Sequence, residues 1–189
     1  EHKAILDSCK VVEKKGFQVT YLPVDKNGQV TAEQVAQAIT DKTILVSVIF
    51  ANNEIGTINP IAEIGKITRA KGILLHTDAV QALGRVPVDV EAMNIDLLSI
   101  SGHKIYGPKG VGALYVRRRN PRVKVNPVIY GGGHERGMRS GTLNVPGIVG
   151  LGMACQLARA EMTEETQRVA SLRDRLKDKL FNALDEIYL

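Results

Sequence analysis

Apolar positions change period several times along this chain. Over residues 2–15 they recur at helical spacing, with Ile5, Leu6, Cys9, Val12 and, beside them, Val11 on one face, and Gly16 stops the run. Residues 17–22 read as a strand and residues 25–28 as a turn. Thr31 is placed to cap a short helix, with Gln34 completing a capping box. Residues 43–50 form a continuous β-branched run of the kind found in buried parallel strands. Pro60 opens a helix that ends near Gly72. Residues 73–77, 95–101 and 111–117 predict three further strands. Past Val145 the chain becomes helical, and a long charged helix runs from about Thr163 onward.

Strands alternating with helices predict an α/β fold: a three-layer sandwich around a mostly parallel sheet, followed by helices. In such sheets ligands sit beyond the carboxyl ends of the strands. Three predicted strands end in polar clusters there: Asn52-Asn53-Glu54, Thr77 to Gln81, and Ser101-Gly102-His103-Lys104. A single polar loop of this kind is ordinary, but three with complementary chemistry point to a site.

Composition narrows the field. Hydrophobic residues make up 44% of the 189 and charged residues 24%, values typical of globular domains. No apolar run approaches the roughly 20 residues that span a bilayer, so no membrane association is expected. Two cysteines are too few for a disulfide framework and suggest a reducing compartment. The formal charge of +5 draws partly on Arg117, Arg118, Arg119, Arg122 and Lys124, read as a solvated surface or protein-docking patch. Aromatic content of 4% without a nucleic-acid motif argues against direct nucleic-acid binding. No Cys/His/carboxylate spacing supports a metal site, so His103 is not read as a ligand.

Lys104 and Asp78 have the two residue types that a pyridoxal 5'-phosphate (PLP) site needs first. A lysine joins the cofactor aldehyde, and a carboxylate keeps the pyridine nitrogen protonated. The strings SGHKIYGPKGVGALYVR (101–117), HTDAVQALG (76–84), NNEIGTINPI (52–61) and GGGHERGMRSGTLN (131–144) closely resemble segments of group I cysteine desulfurases of the NifS/IscS type, within the class V aminotransferases. The resemblance implies Asp78 on the pyridine nitrogen, Gln81 and Asn53 on the ring hydroxyl oxygen, and Ser101 and His103 on the phosphate. It implies Lys104 as the cofactor lysine, His2 stacked on the ring, and Thr142 reaching the phosphate of a neighbouring subunit.

The resemblance implies further properties. The expected reaction removes sulfur from L-cysteine, giving L-alanine and an enzyme persulfide. That persulfide would feed iron–sulfur scaffold proteins and tRNA-thiolation carriers from a cytoplasmic homodimer, or from the mitochondrial matrix in a eukaryote. Selenocysteine lysis and class V transamination remain alternatives, as does a non-catalytic, partner-binding role for this chain alone. Residues 1–160 are expected to form the PLP-binding large domain, incomplete at its amino-terminal side. Residues 161–189 would lead toward a small domain absent from the chain. Cys9 and Cys155 match no nucleophilic loop of that family and read as inert core thiols, so the isolated chain is expected to be inactive. His76 reads as a hydrogen-bonded structural histidine, His134 as part of a glycine-rich dimer loop, and Glu54 as orienting Asn53 or capping the next turn.

Overall fold

A computed structural model describes residues 1–188. The elements run α1 (Lys3–Lys14), α2 (Ala32–Ala38), β1 (Leu45–Ile49), α3 (Ile61–Ala70), β2 (Leu74–Asp78), β3 (Leu97–Ser101), β4 (Gly112–Val116) and α4 (Val145–Ala183). Short 3-10 turns cover Gly102–Lys104 and Glu135–Gly137. The strands lie in the order β1-β2-β3-β4; β1, β2 and β3 are parallel, and β4 runs antiparallel to β3. This is the mostly parallel α/β sheet that the alternating pattern predicts.

Local rules explain most boundaries. Thr31 Oγ1 accepts from the Gln34 backbone N–H while the Gln34 side chain accepts from Thr31 N, the predicted capping box in full. Asn144 Oδ1 accepts from Gly147 N and starts α4, which then runs unbroken for 39 residues. One segment departs from expectation: residues 17–22 form no strand. A strand needs a neighbour to share its hydrogen bonds, and none of the described strands pairs with this segment. Phe17 and Tyr21 stay half exposed, so β-like residues alone leave only extended chain.

Period-two alternation divides the sheet into unlike faces. One face presents Val46, Val48, Leu75, Ala79 and Leu98 to Val35, Ile61 and Ile64 of α2 and α3, forming the main core. Leu75, Ile95 and Ile64 are fully buried. Each contributes about 1.5–3 kcal/mol relative to an exposed side chain. The opposite face is unusually polar. Alternation places Ser47, His76, Asp78, Ser99 and Ser101 there.

The amino-terminal end of the strands is closed by charge. Asp96 and Arg117 are both almost fully buried. Asp96 Oδ1 accepts from Arg69 Nη2 at 2.9 Å and lies 3.1 Å from Arg117 Nε, while Oδ2 accepts from Leu75 N at 3.0 Å. Arg117 also donates to Ile95 O, Val90 O and Glu91. Arg117 therefore leaves the surface basic patch to which its neighbours assign it, because burial demands the partners it has found. Among the described residues, no helix is long and apolar enough to cross a membrane.

Removing Asp96 would take from the buried Arg117 guanidinium its buried carboxylate, leaving the exposed Glu91 as its only carboxylate partner, and orphan the Leu75 N–H. Asp96→Ala should cost about 3–5 kcal/mol of folding free energy, read from urea denaturation. A loss below about 1 kcal/mol would show that the network contributes little.

Candidate active site at the carboxyl ends of the strands

Asp78 is the last residue of β2 and is 8% exposed. The backbone holds it on both sides. Asp78 O accepts from Phe50 N at 2.9 Å, and the next residue, Ala79, donates its N–H to Ser99 O at 3.0 Å. Within the carboxylate, Oδ1 accepts from Val80 N at 3.0 Å. No described cation pairs with this carboxylate. A buried carboxylate in that condition suits a protonated ring nitrogen as partner.

β3 ends at Ser101 and passes directly into the 3-10 turn that carries His103 and Lys104. Ser101 Oγ and His103 Nδ1 stand 2.9 Å apart. The turn is closed by Ile105 N and Gly107 N, which both donate to Gly102 O, at 3.1 and 2.9 Å. Behind Lys104, Ile105 is buried against Leu151 and Ala154 of α4, with Leu83, Val111 and Cys155 around them. Gly150 permits this approach. A Cβ there would meet Pro108 Cγ at 2.5 Å. Tyr106 follows with a φ of +61° and 92% exposure. The lysine thus precedes one anchored and one strained residue, a rigid mount for a group that must be aimed.

One side chain joins the two loops. Arg85 donates from Nη1 to Gln81 O at 3.3 Å and from Nη2 to Lys104 O at 3.1 Å. Its own carbonyl accepts from Thr166 Oγ1 of α4 at 3.3 Å. Sequence reasoning passed over Arg85, since an arginine after a glycine in a surface loop gives no signal of its own.

The remaining expected residues are placed less closely. Asn53 is exposed in the turn that follows β1, beyond Ala51 and its bridge to Ile58. Asn52, not Glu54, caps that turn: its Oδ1 accepts from Glu54 N at 2.8 Å and from Ile55 N at 3.0 Å. His2 is the N-cap of α1, with Nδ1 accepting from Ala4 N at 3.2 Å. Glu1 is exposed as a residue, yet its carboxylate turns inward. Oε1 accepts from Ile49 N at 2.6 Å, and the loss of water pushes its pKa up. His2 thereby lies near the same strand ends. Thr142 is exposed beside Gly141, whose N–H donates to His134 Nδ1 at 3.3 Å. No described hydrogen bond links Thr142 to Asp78 or Lys104.

Polar chemistry continues below Asp78. His76 Nδ1 lies 2.8 Å from Ser47 Oγ and Nε2 lies 3.0 Å from Ser99 Oγ, in keeping with a hydrogen-bonded structural histidine. Burial pushes its pKa below the usual value, with Asp78 pulling the other way. Cys9 and Cys155 are half-buried in α1 and α4, and burial raises both thiol pKa values. That disfavours the thiolate.

The Arg85 bridge makes a local prediction. Arg85→Ala should change global stability by about 1 kcal/mol or less, because the side chain is exposed. Amide exchange at Ile105 and Gly107 should nonetheless quicken by about fivefold as the lysine turn loosens. Unchanged exchange at both amides would show that the guanidinium does not hold the turn.

Known proteins resemble this chain along its whole length. A "Cysteine desulfurase IscS" of Rickettsia peacockii is 56% identical over all 189 residues, which make up 46% of its length. One of the same name from Anaeromyxobacter dehalogenans is 58% identical over 185 residues, 98% of this chain and 46% of the relative. The chain therefore spans about half the length of the curated relatives it matches. Among solved structures, a "NIFS-LIKE PROTEIN" superposes with a TM-score of 0.91 at 44% identity, over 96% of this chain and 50% of that one. "SspA in complex with cysteine" superposes with a TM-score of 0.78 at 49% identity, over 82% and 45%. The family described as Aminotransferase class-V matches residues 1–189. With its parallel sheet, its buried carboxylate on β2 and its anchored lysine after β3, the chain belongs to the class V aminotransferase family.

Proposed function

We propose that this chain is the cofactor-binding part of a PLP-dependent cysteine desulfurase. The observation that carries the proposal is the convergence of Asp78, Gln81, Ser101, His103 and Lys104 on the carboxyl ends of two adjacent parallel strands. The residues fit the cofactor. Asp78 offers a buried carboxylate whose only described partner is Val80 N, and Ser101 and His103 offer adjacent polar groups on one turn. Asp78 would hold the proton on the pyridine nitrogen. Ser101 Oγ and His103 would donate to the phosphate, Gln81 and Asn53 to the ring hydroxyl oxygen, and His2 would cover the ring.

When bound, PLP supplies an electron sink for the bond-breaking steps at the substrate α-carbon. Lys104 Nζ serves as the base that takes the α-proton of L-cysteine. The Ile105 anchor and the Arg85 bridge fix the backbone from which that amine swings. The relatives' names and the cysteine complex of SspA favour L-cysteine over selenocysteine or a transamination substrate. L-Alanine and a persulfide are the products, with iron–sulfur scaffolds and tRNA-thiolation carriers as sulfur acceptors. Cys9 and Cys155, half-buried with raised pKa values, suit neither sulfur attack nor persulfide transfer. The sulfur-accepting cysteine then lies outside these 189 residues, and the chain alone releases no sulfide.

Residues 1–160 serve as the large domain, and the part of α4 past residue 160 leads toward a small one. The loop at 131–143 is glycine-rich, and Glu135 and Arg136 take positive φ values. It has little apolar surface of its own to bury. Glycines and arginines suit an anion, which supports Thr142 serving the cofactor phosphate of a second copy in a cytoplasmic homodimer.

Two measurements test these assignments. PLP added to the folded chain should develop the visible band of a lysine-bound cofactor. Borohydride reduction should then fix its mass on the peptide containing Lys104. Lys104→Ala should lose both signals, and an unchanged labelled peptide map would end the Lys104 assignment. In the full-length protein, an inactive Lys104→Ala subunit mixed with an inactive Thr142→Ala subunit should regain activity, because one site of each mixed dimer then has neither lesion. If mixed dimers form without activity, Thr142 does not serve a partner's site.

A further inference from the structure

The face of the sheet that carries Asp78 has a polar row that runs from the rung below it up to its own rung. Ser47 of β1, His76 of β2 and Ser99 of β3 join in a single chain, with contacts of 2.8 Å and 3.0 Å. Central parallel strands are normally apolar on both faces, and each of these groups loses water where it sits. A neutral imidazole has one donor and one acceptor, and each serine hydroxyl can be either, so the row is fully satisfied. That satisfaction explains how the row is tolerated. It does not explain why valine or leucine is not there instead.

The register supplies a reason. Ser99 pairs directly with Asp78. Its carbonyl accepts from Ala79 N at 3.0 Å, and its hydroxyl meets His76 Nε2. On the other side Ser47 pairs with His76, one rung below the Ile49–Asp78 pair. His76 and Asp78, two apart on one strand, point to the same face. The imidazole thus grips the residue that brackets Asp78 from β3 and the strand that brackets it from β1.

We propose that His76 is a positioning residue for the Asp78 carboxylate, acting through Ser99 and Ser47 to fix where that carboxylate meets its ligand. The inference rests on Asp78 being the cofactor's carboxylate. Its physical content, an energetic coupling between His76 and Asp78, is measurable without cofactor. The charged group facing His76 is Asp78 on its own strand. β1 and β3 present the uncharged Ser47 and Ser99, and Glu1, from the segment before α1, sits at the Ile49 N–H one rung further along. Burial lowers the His76 pKa and the Asp78 charge raises it.

Coupling between two sites is reciprocal, so it can be read from either end. In the full chain, the His76 ring nitrogens are followed by NMR against pH. Asp78→Asn, nearly isosteric, should lower the His76 midpoint by about half a pH unit or more, since it removes the carboxylate that favours the imidazolium. From the other end, His76→Phe and Ser99→Ala should each move the Asp78 carboxyl midpoint, followed by carbon NMR, by a similar amount. His76→Gln can still reach Ser99 and should restore much of it. A His76 midpoint unmoved by Asp78→Asn would overturn the proposal. It needs no His76 variant to fold. So would a His76→Phe protein that melts earlier while its Asp78 titration is unchanged, since that marks mere structural support. If wild-type chain develops no visible PLP band while the coupling is present, the cofactor assignment fails and the His76–Asp78 link stands.

Discussion

The parallel register of β1, β2 and β3 is the constraint on which the site depends. It sets Ile49, Asp78 and Ser99 side by side on one rung. Asp78, Lys104 and their neighbours hang from that rung or the loops that leave it. Asp78 ends β2, Ser101 and Lys104 follow Ser99 within one turn, and the Asn52-Asn53 turn leaves β1 just beyond Ile49. A slip of one residue in any strand would send its whole side-chain set to the opposite face. Asp78 would then point at the apolar core, and Leu75 at solvent.

Two devices oppose such a slip from opposite ends. At the amino-terminal end, Asp96 binds Leu75 N, Arg69 and Arg117, tying β2, α3 and the end of β4 to the start of β3. Within the sheet, His76 spans Ser47 and Ser99. Both devices are polar and largely withdrawn from water, the Asp96–Arg117 pair fully buried and the His76 row half-buried, so each favours one arrangement. An apolar core tolerates sliding far better, because its contacts are non-directional. The α2–α3 face contributes most of the stability, and the polar groups specify the register.

Much of this was legible from the residues. Periodicity located β1 to β4 and α1 to α4, and Thr31–Gln34 announced its capping box. The three polar strand ends marked the candidate site before any resemblance was invoked. The errors share a cause. Residues 17–22 have β-like composition but no partner strand among the described residues, and pairing is not written in a single segment. Arg117 stands in a run of basic residues, and only the position of Asp96 across the sheet reveals that it turns inward. Arg85 likewise depends on two carbonyls, of Gln81 and Lys104, that are far apart in sequence. Ser47 and Ser99 did leave a trace. Each interrupts an apolar stretch of its strand, Ser47 at the register of His76 and Ser99 at that of Asp78.

That trace bears on how the lysine and the carboxylate are made to cooperate. Lys104 sits on a turn held by Ile105 in the α4 cluster and by Arg85 at its carbonyl. Asp78 sits on a strand end held by backbone on both sides. The two mounts share Ser99, the β3 residue that accepts from Ala79 N and lies five positions before Lys104 in the chain. Displacement of β3 therefore moves the amine and the backbone beside the carboxylate together. Loss of the side-chain ties alone frees one from the other. The sheet supplies common motion, and the polar contacts of His76 and Arg85 supply relative position. The roles proposed for Lys104 and Asp78, a base and a proton-holding carboxylate on one ligand, require both.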